Sequence, residues 1–152
     1  MVYLVVRIRG IVNVPSWADK TLENLNLRKK FNATLVSENN QTLGMLRKVK
    51  DIVAWKSVDE PIIKELLEKR GRKKRLHTVK TSNHHSNNQT INDLATVIHK
   101  NNISLSELED MKPWFSLSPP KGGFKRKTKT QYTQKGTLGE NNELIDLVRR
   151  MV

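Results

Sequence analysis

Tyr3 to Ile8 is an almost wholly apolar, β-branched run, which predicts a strand covered on at least one face. Arg7 and Arg9 alternate with Ile8, so both are expected to emerge on one side of that strand's end. Pro15-Ser16 opens a helix with Ser16 as cap, Asp19 three residues on, and Ala18, Leu22 and Leu25 on the buried face. It closes at Asn26 to Lys30, where Arg28, Lys29 and Lys30 suit the negative end of the helix dipole. Ala33 to Val36 predicts a second strand. From Thr42 to Val53 the residues Met45, Leu46, Val49, Ile52 and Val53 form one apolar helical stripe, with Arg47, Lys48 and Lys50 on the other surface. Gly44 near its start costs about 1 kcal/mol relative to Ala, so a close approach to the backbone is expected there. Ala54 to Val58 predicts a third strand. Asp59-Glu60-Pro61 starts a further helix, with Ile62, Ile63, Leu66 and Leu67 inward and Gly71 as its stop.

Strand and helix alternate over residues 3–70, which predicts an α+β unit with helices packed on one face of a small three-stranded sheet. Residues 77–90 are polar and rich in Asn, His and Ser, as expected of a loop. Thr90-x-x-Asp93 then predicts a short helix with Leu94, Val97 and Ile98 inward. Ser104-x-x-Glu107 is a capping box followed by Leu105, Leu108 and Met111. Leu144, Leu147, Val148 and Met151 repeat at helical spacing, so the last ten residues are expected to dock on the body.

Charge changes the picture. The chain has 152 residues and a formal net charge of +13. Thirteen of its 28 basic residues lie in Lys69 to Lys80 and Lys121 to Lys135, and neither stretch holds an acidic residue. Unneutralised cations so concentrated suit a polyanion with regularly spaced charges, and RNA is the polyanion expected. Hydrophobic residues make up 36% of the chain, enough for a core that does not fill every segment. Pro119-Pro120-Lys121-Gly122-Gly123-Phe124 opens the second cluster, and its two glycines allow a turn without Cβ atoms that lies against phosphate.

Candidate catalytic chemistry is sparse. There is no cysteine, hence no disulfide or thiolate metal site. His84-His85, with His77 and His99, lacks the helical spacing that sets two imidazoles on one ion, and is expected to be solvated. Carboxylates such as Asp19, Asp59, Glu60, Asp93 and Glu107 serve helix starts, and the glycine stretches do not match a nucleotide-binding loop. No catalysis, cofactor or metal is expected. Trp17, Trp55 and Trp114 are isolated and expected in or near the core, while Phe124 and Tyr132 either stack on bases or anchor an extended arm. The mode expected is recognition of phosphates and shape in folded RNA. Two rivals are an RNA-processing enzyme built on the histidine loop and a general nucleic-acid-condensing protein. Met1 to Arg9 lacks a signal-peptide layout, and no apolar stretch is long enough to span a bilayer, so a soluble intracellular protein without membrane contact is expected.

Ordered motifs along nearly the whole chain carry a resemblance. They are Arg7-Ile8-Arg9-Gly10; Leu25-Asn26-Leu27; Ala33 to Val36; and Gly44-Met45-Leu46-Arg47-Lys48-Val49-Lys50-Asp51-Ile52-Val53-Ala54-Trp55. Further on come Leu117 to Phe124, Gly136-Thr137-Leu138-Gly139 and Ile145 to Val152. In this order and spacing the chain resembles the large-subunit ribosomal proteins called L-thirty in archaea and L-seven in eukaryotes. Leu43, Lys56 and Ser118 depart from that pattern. The resemblance implies a βαβαβ ferredoxin-like core over residues 1–58 and an archaeal-type extension, with helices and basic arms, over 59–152. It implies a cytoplasmic, ribosome-bound protein that holds large-subunit ribosomal RNA, near the 5S RNA, beside other ribosomal proteins and without self-association. The residues expected to meet RNA are Arg7, Arg9, Arg28 and Lys29, then Arg47, Lys48 and Lys50 on a helix face. The first arm adds Arg70, Arg72, Lys73, Lys74 and Arg75. The second adds Lys121, Gly122, Gly123, Phe124, Lys125, Arg126, Lys127, Lys129, Tyr132 and Lys135.

Overall fold

A six-stranded sheet forms around the apolar first strand, β1 (Val2–Arg7). β2 (Asn32–Ser37) and β3 (Val53–Val58) pair with it on either side, both antiparallel. The helices α1 (Ser16–Asn24) and α2 (Asn40–Lys48) connect these strands. The computed structural model describes residues 1–72, 87–108 and 111–152, for 87–90 the backbone alone. Lys73, Lys74, Arg75, His77, His84 and His85 fall outside that range.

The α+β class and the ferredoxin-like core are present, but the sheet is larger than expected and covered on both faces. β1 is apolar at consecutive positions, and alternate strand residues point to opposite faces. Val5, Val36, Val53 and Trp55 meet Ala18, Leu22, Leu25 and Leu46 under α1 and α2. Val2, Leu4, Val6, Ala33, Leu35 and Ala54 point the other way. That second apolar face is covered by the rest of the chain. α3 (Glu60–Arg70) and α4 (Asn87–Asn101) bring Ile63, Leu66, Leu67, Ala95 and Ile98, and α5 (Leu144–Arg149) brings Leu144, Leu147 and Val148, with Met151 just beyond. The extension thus shares one core with residues 1–58, and the chain end docks as its helical spacing predicts.

Three strands of the extension lengthen the sheet, giving the order β4-β2-β1-β3-β6-β5. β4 (Phe115–Ser116) pairs antiparallel with β2, and β6 (Gly136–Glu140) runs parallel to β3. β5 (Lys127–Gln131) lies outside β6 with an irregular register. A Cβ at Gly136 would collide with the Thr130 carbonyl, so only glycine lets these two backbones approach so closely.

Several local expectations are corrected. Ser16 is the first residue of α1 and caps nothing with its side chain; the Pro15 carbonyl accepts from the amides of Ala18 and Asp19. α2 stops at Lys48, and Val53 already belongs to β3. Gly44 faces open space, so no close approach explains it. α4 begins at Asn87, and Val97 is 40% exposed while Ala95 is buried in its place. Ser104 and Glu107 do form the capping box, but around a single 3₁₀ turn, Leu105–Glu107.

Candidate nucleic-acid interface

Strand direction gathers the basic loops at one end of the sheet. β1 is antiparallel to β2 and β3, so the loop leaving β1 lies beside the segments entering them. β6 runs parallel to β3, so its entry lies at the same end. Arg9 follows β1; Arg28, Lys29 and Lys30 precede β2; Lys48 and Lys50 precede β3; Lys135 precedes β6. All are exposed except Arg9, which is half-buried and donates to the Asp51 carbonyl at 3.3 Å. The opposite end carries acids: Glu38 follows β2, Asp59 and Glu60 follow β3, and Glu140 ends β6. Two of the acids at the basic end are engaged. Glu23 pairs with Arg28, and Asp51 accepts from the Gln131 amide at 2.8 Å. Arg47 is exposed but stands apart, toward Tyr3. Burial and a hydrogen bond to Glu38 push the Tyr3 phenol up, and the Arg47 charge opposes them.

Arg7 is a correction to the sequence expectation. Its side chain is wholly buried and therefore closed to RNA. The guanidinium donates to the carbonyls of Leu27 at 2.8 Å, Arg28 at 3.0 Å, Gly10 at 3.0 Å and Arg9 at 3.1 Å. A planar fork of donors is what four divergent carbonyls require, and lysine cannot supply it. Burial pushes its pKa down and the Asp19 charge opposes this, but a guanidinium stays charged throughout the accessible pH range. Arg7 therefore fixes the loops that present Arg9 and Arg28 to Lys30.

The second basic cluster is folded against the body and is no free arm. Gly122 and Gly123 have φ of +77° and +73°, the left-handed region that favours glycine. Arg150 moors this turn, donating to the Gly123 carbonyl at 2.9 Å and the Lys121 carbonyl at 3.3 Å. Phe124 packs on the core and stacks on Phe31, ring centroids 6.1 Å apart, so it anchors the segment. Phe31 itself holds a φ of +63°, fixed by its amide donating to the Arg7 carbonyl at 2.8 Å. That stack brings Lys29 and Lys30 next to the glycine turn. Beyond it Lys125 is exposed in the bend before β5, and Lys127 and Lys129 are exposed at alternate positions, about 7 Å apart on one side of that strand.

Three more expected contacts are engaged inside the protein. Arg126 donates to both carboxylate oxygens of Glu143 and lies 4.9 Å from the centre of the Tyr132 ring. Arg70 donates to the Val152 carbonyl at 2.8 Å and the Ser118 hydroxyl at 2.9 Å, clasping the chain end. Ser118 and Lys56, two departures from the family pattern, both have internal partners, the Lys56 ammonium donating to the Asn142 carbonyl at 2.9 Å. Arg72 is exposed, and its carbonyl accepts from the Lys112 amide. An open groove by the turn is lined by Phe124, Arg126, Asn141, Glu143, Asp146 and Arg150, with charges of both signs. Among the described residues no three His, Asp or Glu side chains are grouped to hold a metal ion, and no helix is long and apolar enough to cross a membrane.

The hydrogen bonds from Arg126 hold the Glu143 carboxyl below the usual carboxylate range, with burial opposing. Because the folded value is depressed, the pairing is present at neutral pH and lost as pH falls through that lowered value. Glu143→Gln is expected to release Arg126 toward RNA at neutral pH. One added phosphate contact raises affinity by up to about tenfold at 0.1 M salt. Filter binding of the variant and the wild type at that salt measures the change.

Lys30, Trp17 and Phe31 take part in this surface although sequence reasoning did not place them there. Lys30 had a visible signal, the Arg28-Lys29-Lys30 run. Phe31 had none, because its role depends on Phe124, distant in sequence.

Fold and charge together define a basic α+β scaffold suited to a polyanion. A sequence model of the family described as Ribosomal protein L30p/L7e matches residues 3–53, from β1 to the first residue of β3. The chain is 44% identical over 151 residues to the large ribosomal subunit protein uL30 of Cenarchaeum symbiosum, covering 99% of this chain and 97% of that protein. It is 40% identical to the uL30 of Nitrosopumilus maritimus, over 98% of this chain and 97% of that one. With the uL30 of Staphylothermus marinus it shares 39% identity, over 99% and 98%. The chain belongs to the ribosomal protein L30p/L7e family. Its role is that of a structural ribosomal protein working in translation, and it is not an enzyme.

Proposed function

We propose that the chain is a structural constituent of the large ribosomal subunit and seats the basic end of its sheet on folded ribosomal RNA. Residues 1–58 form the unit held in common with shorter relatives, and 59–152 form the extension. The observation that carries this is the convergence of Arg9, Arg28, Lys29, Lys30, Lys48, Lys50 and Lys135 at one end of a sheet whose other end carries Glu38, Asp59, Glu60 and Glu140. Lys121, Lys125, Lys127 and Lys129 extend the contact along the outer edge. Arg47 and Arg72 add to it from separate positions, and Lys73, Lys74 and Arg75 are assigned to it on their sequence alone. Gly122 and Gly123 present the turn to phosphate. The family resemblance supports a position near the 5S RNA, and no self-association is expected.

Six to ten neutralised phosphates give a steep salt dependence. Affinity for a large-subunit RNA transcript is expected to fall by about 10³–10⁵ between 50 and 200 mM salt. Competition with duplex DNA at fixed salt separates this function from general condensation of nucleic acids, and RNA is expected to win. Equal competition by DNA, or binding that barely changes with salt, would count against the proposal.

A further inference from the structure

Among the described residues, three of the six large apolar side chains that stay exposed lie on the loop leaving β1 and the first turn of α1: Ile11 at 66%, Val12 at 83% and Trp17 at 49%. An isolated tryptophan is ordinarily at least partly in the core. Trp55 obeys that rule, at 4% exposed; Trp17 does not, and Trp114, at 36% with the Lys112 ammonium 5.8 Å from its ring centre, departs from it less far. The Lys48 ammonium, from the last residue of α2, lies 5.7 Å from the centre of the Trp17 ring. Lys20 is exposed one turn along α1 on the same side of the helix. Arg9 and Lys50 stand on the neighbouring loops. Asp19 lies on the other side of α1, near enough to Arg7 to favour its charged form.

A flat indole set among cations has the chemistry of a single-strand platform: the ring takes a base face and the cations take the adjoining phosphates. Phosphate contacts alone need no aromatic, and a neutral apolar protein surface is poorly matched to Lys48 over the ring and Lys20 beside it. We propose that Trp17 is a stacking platform for one unpaired nucleobase of the bound RNA, with Lys48 and Lys20 on the flanking phosphates. The inference rests on the RNA-binding function proposed for the chain and adds to it a place where an unpaired nucleotide is held.

Binding of a large-subunit RNA transcript and of a fully paired RNA duplex, each across a range of salt, tests it with Trp17→Ala, Trp17→Leu and Trp17→Phe. Trp17→Ala is expected to lower affinity for the transcript by roughly 5- to 150-fold, the range of one stacked base. The slope against salt should not change, since no cation is lost, and duplex binding should be unaffected. Trp17→Phe keeps a ring and should stay within a few-fold of wild type. Trp17→Leu keeps apolar bulk without a π face and should behave like Trp17→Ala; its thermal melt checks that α1 remains folded. Wild-type affinity in Trp17→Leu overturns the proposal. So does a Trp17→Ala protein that binds the naked transcript normally but enters particles poorly, which assigns the patch to a neighbouring protein. A wild type that ignores the transcript overturns the RNA-binding function itself, and this inference with it.

Discussion

Replacing Lys29, Lys30, Lys48 and Lys50 with alanine together is expected to lower RNA affinity by about 10³–10⁴ at 0.1 M salt, with little loss of stability. Each phosphate contact adds close to one log unit to the binding constant at that salt, through counterion release. All four side chains are exposed and none bonds to a buried partner, so the fold should not depend on them. The slope of log affinity against log salt should shrink by three to four for the same reason. Lys48 also sits over Trp17, so its share is coupled to that residue and will not simply add. Filter binding across 50–200 mM salt gives both quantities. An affinity within tenfold of wild type would remove the basic end of the sheet from the interface.

Arg7→Met is expected to be strongly destabilising. It leaves the carbonyls of Leu27, Arg28, Arg9 and Gly10 without the donors that now satisfy them. An unsatisfied buried polar group costs about 1–3 kcal/mol. Partial relaxation and water entry recover some of this, so a loss of about 3–5 kcal/mol is expected. At 2–4 °C per kcal/mol for a chain of this size, the melting temperature should drop by roughly 10 °C. Arg7→Lys keeps the charge but not the fork, and should lose about half as much. RNA binding should weaken as well, even well below the melting point, because the loops carrying Arg9 and Arg28 to Lys30 lose their common support. A melt within 2 °C of wild type would show that Arg7 does not organise these loops.

The first half of the fold was legible because each element carries two agreeing signals. β1 is apolar at five consecutive positions, three of them valine, and α3 has Asp59 and Pro61 at its start with Leu66 and Leu67 inward. The error at the end of α2 arose where Ile52, Val53, Ala54 and Trp55 suit a helical stripe and a strand equally. β5 and β6 escaped detection for a different reason. Lys-Thr-Lys-Thr-Gln and Gly-Thr-Leu-Gly-Glu have almost no apolar alternation, and their pairing is secured by the sheet edge and a glycine contact.

The interface was half legible. Clusters of lysine and arginine are plain in the sequence, but whether a given cation faces solvent is decided by partners far along the chain. Arg7 meets Leu27, Arg126 meets Glu143, and Arg70 meets Val152. Alternation placed Arg7 beside Arg9 on an exposed strand end, whereas a cage of carbonyls buries it. Trp17 failed in the opposite direction, since burial statistics describe tryptophans in general and not one on a surface crowded with cations. The gathering of separate basic loops at one end depends on strand order and direction, which composition does not encode.

Amine labelling of lysines, compared between the free protein and the assembled large subunit, tests the central claim most directly. Lys29, Lys30, Lys48, Lys50 and Lys135 are expected to react freely in the isolated protein and to be strongly protected in the particle, while Lys64 on α3 keeps much of its reactivity. Undiminished labelling of those five in the particle would contradict the account.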